Sequence, residues 1–463
     1  MRFLSKAVCA ASCIACFVSR VTALPGRPPN SSGFQGSAIA GTAAKSSFAT
    51  SSTAASSSVT TSSSSAKATS TEGAITISST TSTISGVYIT ATATDENAVV
   101  VEATGVAYLT DVTIYKTGDS SDDDDSSFTI LNAAVGVETY GTLYMYSSTI
   151  TTDGGSANGL HTYEDGADVY LYDVTVSASG DGAHGIYTAG GYIYGENLVI
   201  TTEDQRGSAI ATDSGGGTIV VNTATVMTYG SKSALVYSTG NITVSSLTGT
   251  ASIAPACVID GSNSFTLVDP DISSGTEEYG VFQIVSTGSS NSDVAYAYVT
   301  GGSIAETYGT YGLIYVGNIE AVVSLDDVSV TTESGILANV AANSEFGTSG
   351  SNGGDLTLEL TDVDISGVVT IDDISTGYLI LTDSTWSGAI NTENTASNAT
   401  IYLDSNSTWS LTADSYVTVI TDEDTTAANI VSAGYSIYYD SSYNTWLDGE
   451  TIDLGGGGYL TPQ

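Results

Sequence analysis

The chain has very few basic side chains: nine Lys and Arg stand against 50 Asp and Glu in 463 residues. Only three of the nine, Lys116, Arg206 and Lys232, lie beyond residue 73, together with 49 of the acids. Nucleic-acid binding needs clustered Lys and Arg, so this scarcity excludes nucleic acid as a partner. It also disfavours an anionic membrane surface, and charge repulsion disfavours acidic polymers such as pectin or alginate.

Cysteine and histidine are scarce as well. Three of the four cysteines lie within the first 23 residues, which leaves Cys257 alone in the rest of the chain. A single cysteine forms no internal disulfide, and we predict that Cys257 is a small buried apolar residue. The two histidines, His161 and His184, make a poor zinc site without Cys partners, and we expect both at the surface or in turns.

Proline is nearly absent between residues 30 and 461, where Pro255 and Pro270 are the only two. Because proline cannot donate a hydrogen bond to a β-ladder, we predict an irregular coil near residues 255–270.

The N-terminal sequence has the composition of a secretory signal followed by a stalk. In residues 1–23, Arg2 and Lys6 precede an apolar run that is too short to span a bilayer, and Val21-Thr22-Ala23 resembles a cleavage site. Residues 24–73 are almost wholly Ser, Thr, Ala and Gly, which predicts a disordered, O-glycosylated stalk. We therefore predict a secreted, extracellular protein that is released or held at a cell wall, without a membrane span.

In a secreted chain, Asn-x-Ser/Thr sequons are acceptors for N-glycosylation. The sequence contains four beyond residue 23, at Asn30, Asn241, Asn398 and Asn406. We expect these asparagines at exposed positions.

Residues 74–463 repeat with a period of about 22–26 residues. The repeat is clearest in Tyr144-Met145-Tyr146, Tyr170-Leu171-Tyr172 and Tyr192-Ile193-Tyr194, and two further short strands keep the same period. Alternation of apolar and polar residues places Met145, Leu171 and Ile193 inward. One coil of three short strands cannot bury its own inner face, so the coils must stack. The sequence therefore predicts an all-β solenoid in a single domain, residues 74–463.

This three-strand coil resembles the right-handed parallel β-helix of the pectin-lyase-like superfamily. The Thr-, Gly- and Asp-rich composition, and the segment Ser407 to Val417, are closer to its adhesin and autotransporter-passenger members than to its enzymes. The resemblance implies a rigid rod built from about a dozen coils. Pectate-lyase members use calcium held by Asp with Arg as the base, but the basic residues that surround such sites are missing here. The polygalacturonase-like motifs are missing too.

The first candidate site is a tyrosine ladder. If the repeats align as written, Tyr144, Tyr170 and Tyr192 form one outward row, and Tyr146, Tyr172 and Tyr194 form a parallel row. Adjacent strands lie about 4.8 Å apart, so the rings can stack and stabilise the sheet. The functional alternative is a flat aromatic face that contacts a polysaccharide or another surface.

The second candidate is an acidic corner. Asp153, Asp181 and Asp204 follow the third strand of successive coils, and we expect them along one edge. Neighbouring carboxylates can supply the acid and base of a glycoside hydrolase, or they can bind calcium. The alternative is that each Asp only stabilises its turn. We interpret Arg206 as a salt-bridge partner of these acids.

Two further features have structural and functional interpretations. The run Asp122–Asp125 predicts a solvated loop, with calcium binding as the alternative. Trp386 and Trp409 lie 23 residues apart, about one coil, which predicts a stacked pair that closes the solenoid or, if exposed, contacts sugar.

These observations favour a non-catalytic cell-surface or cell-wall protein, adhesin-like, that contacts a polysaccharide or glycoprotein. The alternative is an enzyme, a hydrolase or lyase, that acts on a neutral glycan through Asp153, Asp181 and Asp204 with Arg206. A third hypothesis is ice or mineral binding through threonine ladders. No cofactor is expected apart from calcium as an alternative.

Overall fold

The computed structural model describes residues 70–72, 75–213, 215–288 and 294–463, all within the compact unit Ser56–Gln463. The predicted signal peptide, most of the stalk and Asn30 lie outside the described residues. The described chain is almost entirely β-strand and turn, as predicted. Its first strand begins at Ser70, before the predicted domain start at residue 74.

The strands are short and follow one another in threes. The first 22 are β1 Ser70–Glu72, β2 Ile75–Ser78, β3 Thr81–Ser85, β4 Tyr88–Ala91, β5 Val99–Glu102, β6 Val106–Thr110, β7 Thr113–Lys116, β8 Ala133–Val137, β9 Thr142–Tyr146, β10 Thr149–Thr152, β11 Asn158–Tyr163, β12 Asp168–Tyr172, β13 Thr175–Ala178, β14 Ile186–Ala189, β15 Tyr192–Glu196, β16 Leu198–Thr202, β17 Ile210–Thr212, β18 Thr218–Val221, β19 Ala224–Thr228, β20 Val236–Ser238, β21 Asn241–Ser245 and β22 Leu247–Ala251.

The remaining strands are β23 Cys257–Asp260, β24 Ser264–Val268, β25 Asp271–Ser274, β26 Gly280–Val285, β27 Val294–Thr300, β28 Ser303–Glu306, β29 Gly312–Gly317, β30 Glu320–Asp326, β31 Ser329–Thr332, β32 Ile336–Val340, β33 Asp355–Thr361, β34 Asp364–Ser366, β35 Val368–Ile371, β36 Thr376–Thr382, β37 Thr385–Gly388, β38 Asn398–Leu403, β39 Thr408–Leu411, β40 Ser415–Val417, β41 Val419–Asp422, β42 Ile430–Val431, β43 Ile437–Tyr439, β44 Ile452–Asp453 and β45 Tyr459–Pro462. The helical segments are α1, Asp123–Phe128, and a 3₁₀ turn, Thr445–Leu447.

Every third strand pairs in parallel, which gives three long sheets. Sheet A has 11 strands from β1 to β31, sheet B has 12 from β2 to β35, and sheet C has 14 from β3 to β41. Two four-stranded sheets complete the C-terminal coils, and the β44–β45 pair is antiparallel. The protein is therefore a parallel β-solenoid, which confirms the predicted architecture.

The core is a set of inward rows that run along the solenoid. On sheet C, one row joins Leu143, Val169, Ile193, Ile219 and Ile242, all of them buried. Each fully buried aliphatic side chain stabilises the fold by about 1.5–3 kcal/mol, and the stacking supplies that burial, since one coil alone cannot. Met145 and Leu171 point inward as predicted, and Cys257 is buried and unpaired, also as predicted.

The corner that follows each strand of sheet C explains part of the Asp and Asn content. In most coils one residue there has a positive φ, which glycine adopts freely and Asp and Asn tolerate better than other residues. These positions include Gly86, Asp111, Ser147, Asp173, Asn197, Ser246, Asp269, Gly301, Asp327, Asp362 and Asp383. Six Asp residues therefore have a structural role at this corner of the solenoid.

The coils around the two prolines keep their pairing. β22 pairs with β25 from Thr248–Asp271 to Ala251–Ser274, and β20 pairs with β23 in register. Pro255 and Pro270 both lie between strands, where the missing N–H breaks no ladder hydrogen bond.

The insertion that carries Asp122–Asp125 contains helix α1, so the prediction of a loop was wrong for Asp123–Asp125. The Ser126 hydroxyl donates to the Ser156 carbonyl, and Tyr187 Oη donates to the Ser127 carbonyl at 2.8 Å. Through these bonds the helix packs over the outward side of sheet B. Repeat periodicity cannot show such a contact, because the insertion has no counterpart in the other coils.

The tryptophan pair is stacked, as predicted, and it lies in the core. The Trp386 and Trp409 rings have centroids 5.1 Å apart at 15°, and both side chains are fully buried. Each indole N–H donates to a backbone carbonyl, of Gly367 and Gly388 respectively. A sugar therefore cannot reach this pair. No helix in the described part of the chain has the length and apolar character to cross a membrane.

Candidate functional site

Seven outward tyrosines on strands β6, β9, β12 and β15 form the tyrosine face: Tyr108, Tyr144, Tyr146, Tyr170, Tyr172, Tyr192 and Tyr194. The Tyr108 and Tyr144 rings stack at 5.0 Å and 7°, and those of Tyr144 and Tyr170 at 4.9 Å and 11°. Tyr146 and Tyr172 stack beside them at 5.1 Å and 7°. The rings cover part of one another and leave their edges and hydroxyls in solvent, so the face is both a stabilising ladder and an accessible surface.

The predicted rows are wrong by two residues at one step. Tyr170 pairs with Tyr194, and Tyr192 pairs with Asp168. The stacking is tilted there: the Tyr170 ring lies 6.1 Å from Tyr192 at 59° and 6.4 Å from Tyr194 at 43°. A shift of two residues keeps every side chain on the same face of the sheet, so alternation cannot detect it. The six predicted residues still lie together.

Five tyrosines of the same sheet face were missed by the sequence analysis, Tyr378 and Tyr402 near its C-terminal end among them. Tyr108 extends the ladder by one coil towards the N-terminus, and Tyr296 and Tyr298 lie further along the sheet, their rings 6.0 Å apart. Tyr296-Ala297-Tyr298 repeats the Tyr-x-Tyr pattern and was a usable signal.

Five hydroxyls of the tyrosine face are held in their protonated form. Partial burial raises the pKa of Tyr146, Tyr170, Tyr172, Tyr192 and Tyr194, and neighbouring tyrosines or carboxylates raise it further. Neutral phenols donate and accept hydrogen bonds. The face therefore combines aromatic surface with hydroxyl groups and carries no charge of its own.

A groove adjoins the tyrosine face. Tyr192 and Tyr296 lie in one row of sheet C, separated by Thr218, Asn241 and Ser264. Four strand steps of about 4.8 Å place the two tyrosines about 19 Å apart along the solenoid. We call this depression, of about 680 Å³, the glycine groove; its other lining residues include Asp165, Gly166, Asp168, Gly190, Gly191, Gly215, Gly216, Gly217, Thr239, Gly240, Ser262 and Asn263.

The glycine groove has the components of a binding site for a neutral, hydroxyl-rich ligand. Its ends are aromatic, its middle consists of small polar side chains, and Asp165 and Asp168 supply acceptors. Concave surfaces with a few convergent polar groups are the usual ligand sites. Asn241, one of the sequon asparagines, is exposed at the centre of the glycine groove. A glycan on Asn241 would therefore occupy the groove.

The acidic corner is not a ladder of carboxylates. Thr152, Ala178 and Thr202 pair in register, so Asp153, Asp181 and Asp204 stand one, three and two positions beyond them. Their hydrogen-bond partners lie in the turns. Ser179 donates to Asp153, the Gln205 side chain donates to Asp181, and the Gln205 backbone N–H donates to Asp204. The three Asp residues do lie in the same turn of successive coils, as expected, but they do not stack at equivalent positions, because turns of equal length do not place Asp at equal offsets.

Arg206 binds Asp181, as interpreted from the sequence. Its Nε and Nη2 both lie near one carboxylate oxygen, Oδ1, at 3.0 and 2.9 Å. The pair is partly exposed, with 53% and 37% of the side chains accessible. Among the described residues, no three His, Cys, Asp or Glu side chains are arranged to hold a metal ion. Calcium binding stays a prediction.

The sequon asparagines within the described residues differ in exposure. Asn241 and Asn406 are exposed, whereas Asn398 is half-buried on β38. Asn406 donates to the Asp383 carboxylate at 2.6 Å. Their glycosylation stays a prediction.

The expectation for the histidines holds for His184 and was wrong for His161. His184 lies half-buried in the turn before β14. His161 lies on β11, fully buried, and both of its ring nitrogens lack a hydrogen-bond partner among the described residues. Burial, and to a lesser degree His184, lower the pKa of His161 to about 3. The outward side of sheet B is covered by the insertion here, which the repeat alone could not reveal.

Comparisons with known proteins found no relative: no family model matches the chain, and no curated protein or solved structure is significantly similar to it.

Proposed function

We propose that this is a secreted, non-catalytic cell-surface protein that binds a neutral glycan along the tyrosine face and in the glycine groove. The signal-like residues 1–23 and the Ser/Thr-rich residues 24–73 support a stalked, wall-associated protein. In this proposal the solenoid is an adhesin-like member of the pectin-lyase-like superfamily, and its contact partners are wall or host polysaccharides and glycoproteins.

One observation carries the proposal: the stacked tyrosines lead directly into the groove between Tyr192 and Tyr296. The apolar faces of sugar rings pack on aromatic rings, and their hydroxyls need the donors and acceptors that Thr218, Ser264 and Asp168 supply. A neutral glycan also avoids the repulsion that the excess of acids exerts on an acidic polymer.

The test is binding of the full-length chain, produced without N-glycans, to soluble neutral β-glucan and mannan by affinity electrophoresis. We expect retardation by at least one polymer, and we expect Tyr170→Ala and Tyr192→Ala each to weaken it about three- to tenfold. Tyr443→Ala is the matched control, because Tyr443 is 65% exposed and lies outside sheet C. Binding by neither polymer, or equal loss in all three variants, would overturn the proposal.

The same preparations should release no reducing ends from these polymers, with or without calcium. Release that disappears in Asp153→Ala, Asp181→Ala or Asp204→Ala would instead establish the enzyme alternative.

A further inference from the structure

A cleft of about 300 Å³ on the outward side of sheet B is lined by residue types that are rare in the rest of the solenoid. Arg206 and Lys232, two of the three bases beyond residue 73, line it together with His184, one of two histidines. We call it the histidine cleft; its other lining residues are Asp123, Ser127, Ser156, Gly182, Ser208, Asp213 and Tyr237.

The two bases occupy equivalent positions in successive coils. Ser156, Gly182, Arg206 and Lys232 all have φ between 50° and 69° at the turn after sheet A. Three ladder hydrogen bonds connect these four turns, from Ser156 N to Asp181 O, Gly182 N to Gln205 O, and Arg206 N to Ser231 O. The backbones of Arg206 and Lys232 are therefore one strand spacing apart, about 4.8 Å.

This arrangement costs the fold stability. A left-handed backbone suits glycine, and Arg and Lys adopt it at a steric cost. Two like charges in adjacent coils also repel each other. Asp181 compensates Arg206. Burial raises the pKa of Glu278 and the nearby charge of Lys232 lowers it, so Lys232 faces one carboxylate without forming a salt bridge among the described residues. Two exposed bases with strained backbones in adjacent coils, in a chain almost free of cations, indicate a role in binding.

The wall beside these bases is rigid and aromatic. The His184 ring stacks on Tyr187 with centroids 4.7 Å apart at 7°, and His161 meets the same ring edge-on at 4.5 Å. Tyr187 donates to the Ser127 carbonyl, which fixes helix α1 as the opposite wall. His184 Nδ1 accepts the Ser208 N–H at 3.0 Å, so in neutral His184 the proton is on Nε2 and is a donor. Burial lowers the pKa of His184, which keeps it neutral.

We propose that the histidine cleft binds a small hydroxylated carboxylate no larger than one monosaccharide. The volume is at the lower end of ligand sites, which excludes a polymer chain. Lys232 and Arg206 attract one negative charge, and the carboxylates of Asp123 and Asp213 are acceptors for hydrogen bonds from hydroxyl groups. A doubly charged phosphate would meet Asp123, Asp181 and Asp213 at close range, so a single carboxylate is the better fit.

This inference is independent of the glycan proposal, since the two sites lie on different sheets and their ligands differ in charge. The net charge that repels acidic polymers is screened beyond about 8 Å at physiological ionic strength. The binding of a monovalent ligand in contact with Lys232 is therefore determined by the charges that line the cleft.

The test is calorimetric or NMR titration of the full-length chain with D-glucuronate, D-glucose and inorganic phosphate. We expect saturable one-to-one binding of glucuronate. Glucose should bind at least tenfold more weakly, because it has a hydroxymethyl group in place of the carboxylate. Lys232→Gln should weaken glucuronate about tenfold, whereas Lys232→Arg should retain most of the affinity. The control is Ser405→Asp, which makes the same change in net charge at an exposed turn elsewhere.

Three results of the titrations would contradict different parts of the proposal. Absence of saturable glucuronate binding, or binding that Lys232→Gln and Arg206→Gln leave unchanged, would overturn the proposal. Tighter binding of phosphate than of glucuronate would overturn the assignment of the ligand as a carboxylate. Equal affinity for glucose would show that the bases are not the recognition element.

Discussion

The outward faces of sheets C and B belong to the same solenoid and differ in almost every other respect. On sheet C the tyrosine face repeats from coil to coil, carries no charge of its own and lies open. On sheet B the row His161, Tyr187, Ala211 and Tyr237 changes at each coil and is partly covered by helix α1. A repeat builds extended uniform surfaces, whereas an insertion makes one coil different and so creates a unique site.

The largest expected effect concerns Tyr187, on the outward face of sheet B. Tyr187 is fully buried between two histidines, so Tyr187→Ala should lower the free energy of unfolding by about 3–5 kcal/mol. Urea unfolding followed by circular dichroism measures it. Tyr187→Phe is the matched control and should cost only about 1 kcal/mol, for the hydrogen bond to Ser127. Equal costs for both would show that the ring is not packed as described.

The two faces should also differ in their response to acid. His161 has a pKa of about 3 when folded and an ordinary value near 6.5 when unfolded, so below pH 6.5 the unfolded chain binds a proton that the native chain does not. Stability contributed by neutral His161 is therefore lost as pH falls from about 6.5 towards 3. Between pH 7.5 and 5, we expect the wild type to lose about 2 kcal/mol more than His161→Phe.

Urea unfolding of both proteins at the two pH values makes this measurement, and the difference between them removes the effect of the many carboxylates. Tyr170→Phe is the control on sheet C and should behave as the wild type at both pH values. Parallel pH dependence in wild type and His161→Phe would contradict the burial of this histidine.

A smaller effect is expected on the tyrosine face itself. Tyr170 is half-buried and stacks on one side against Tyr144, so Tyr170→Ala should cost about 1 kcal/mol, the order of one aromatic pair. The same variant should weaken glycan binding, which separates the two roles of the ladder. A loss of several kcal/mol would show that the ladder is primarily structural.

The smallest expected effect is on the Arg206–Asp181 pair. Because both side chains are partly exposed to solvent, Arg206→Gln should change the free energy of unfolding by less than about 1 kcal/mol. Its effect on glucuronate binding should be larger than that on unfolding. The reverse ranking would make the salt bridge a structural feature of the turn.

The sequence predicted the features of the fold that follow from its repeat period. Alternation within each strand identified the inward residues Met145, Leu171 and Ile193, and the repeat required stacking. It could not determine the register at Tyr192, because a shift of two residues preserves alternation. It placed Asp153, Asp181 and Asp204 at one corner but could not determine their positions within the turn, because a turn holds several positions where Asp is favourable. The burial of His161 depends on an insertion that no other coil contains, so periodicity carries no information about it.

The stacked indoles of Trp386 and Trp409 divide the molecule optically. All three tryptophans lie between residues 386 and 446, whereas the stacked ladder of tyrosines occupies residues 108–194. Indole-selective fluorescence therefore reports only the C-terminal coils, whereas the 28 tyrosines are distributed along the whole solenoid. A solenoid whose coils contact only their neighbours can unfold from one end, and in this protein the indole signal, compared with the circular dichroism of all the strands, would record whether the C-terminal end opens first.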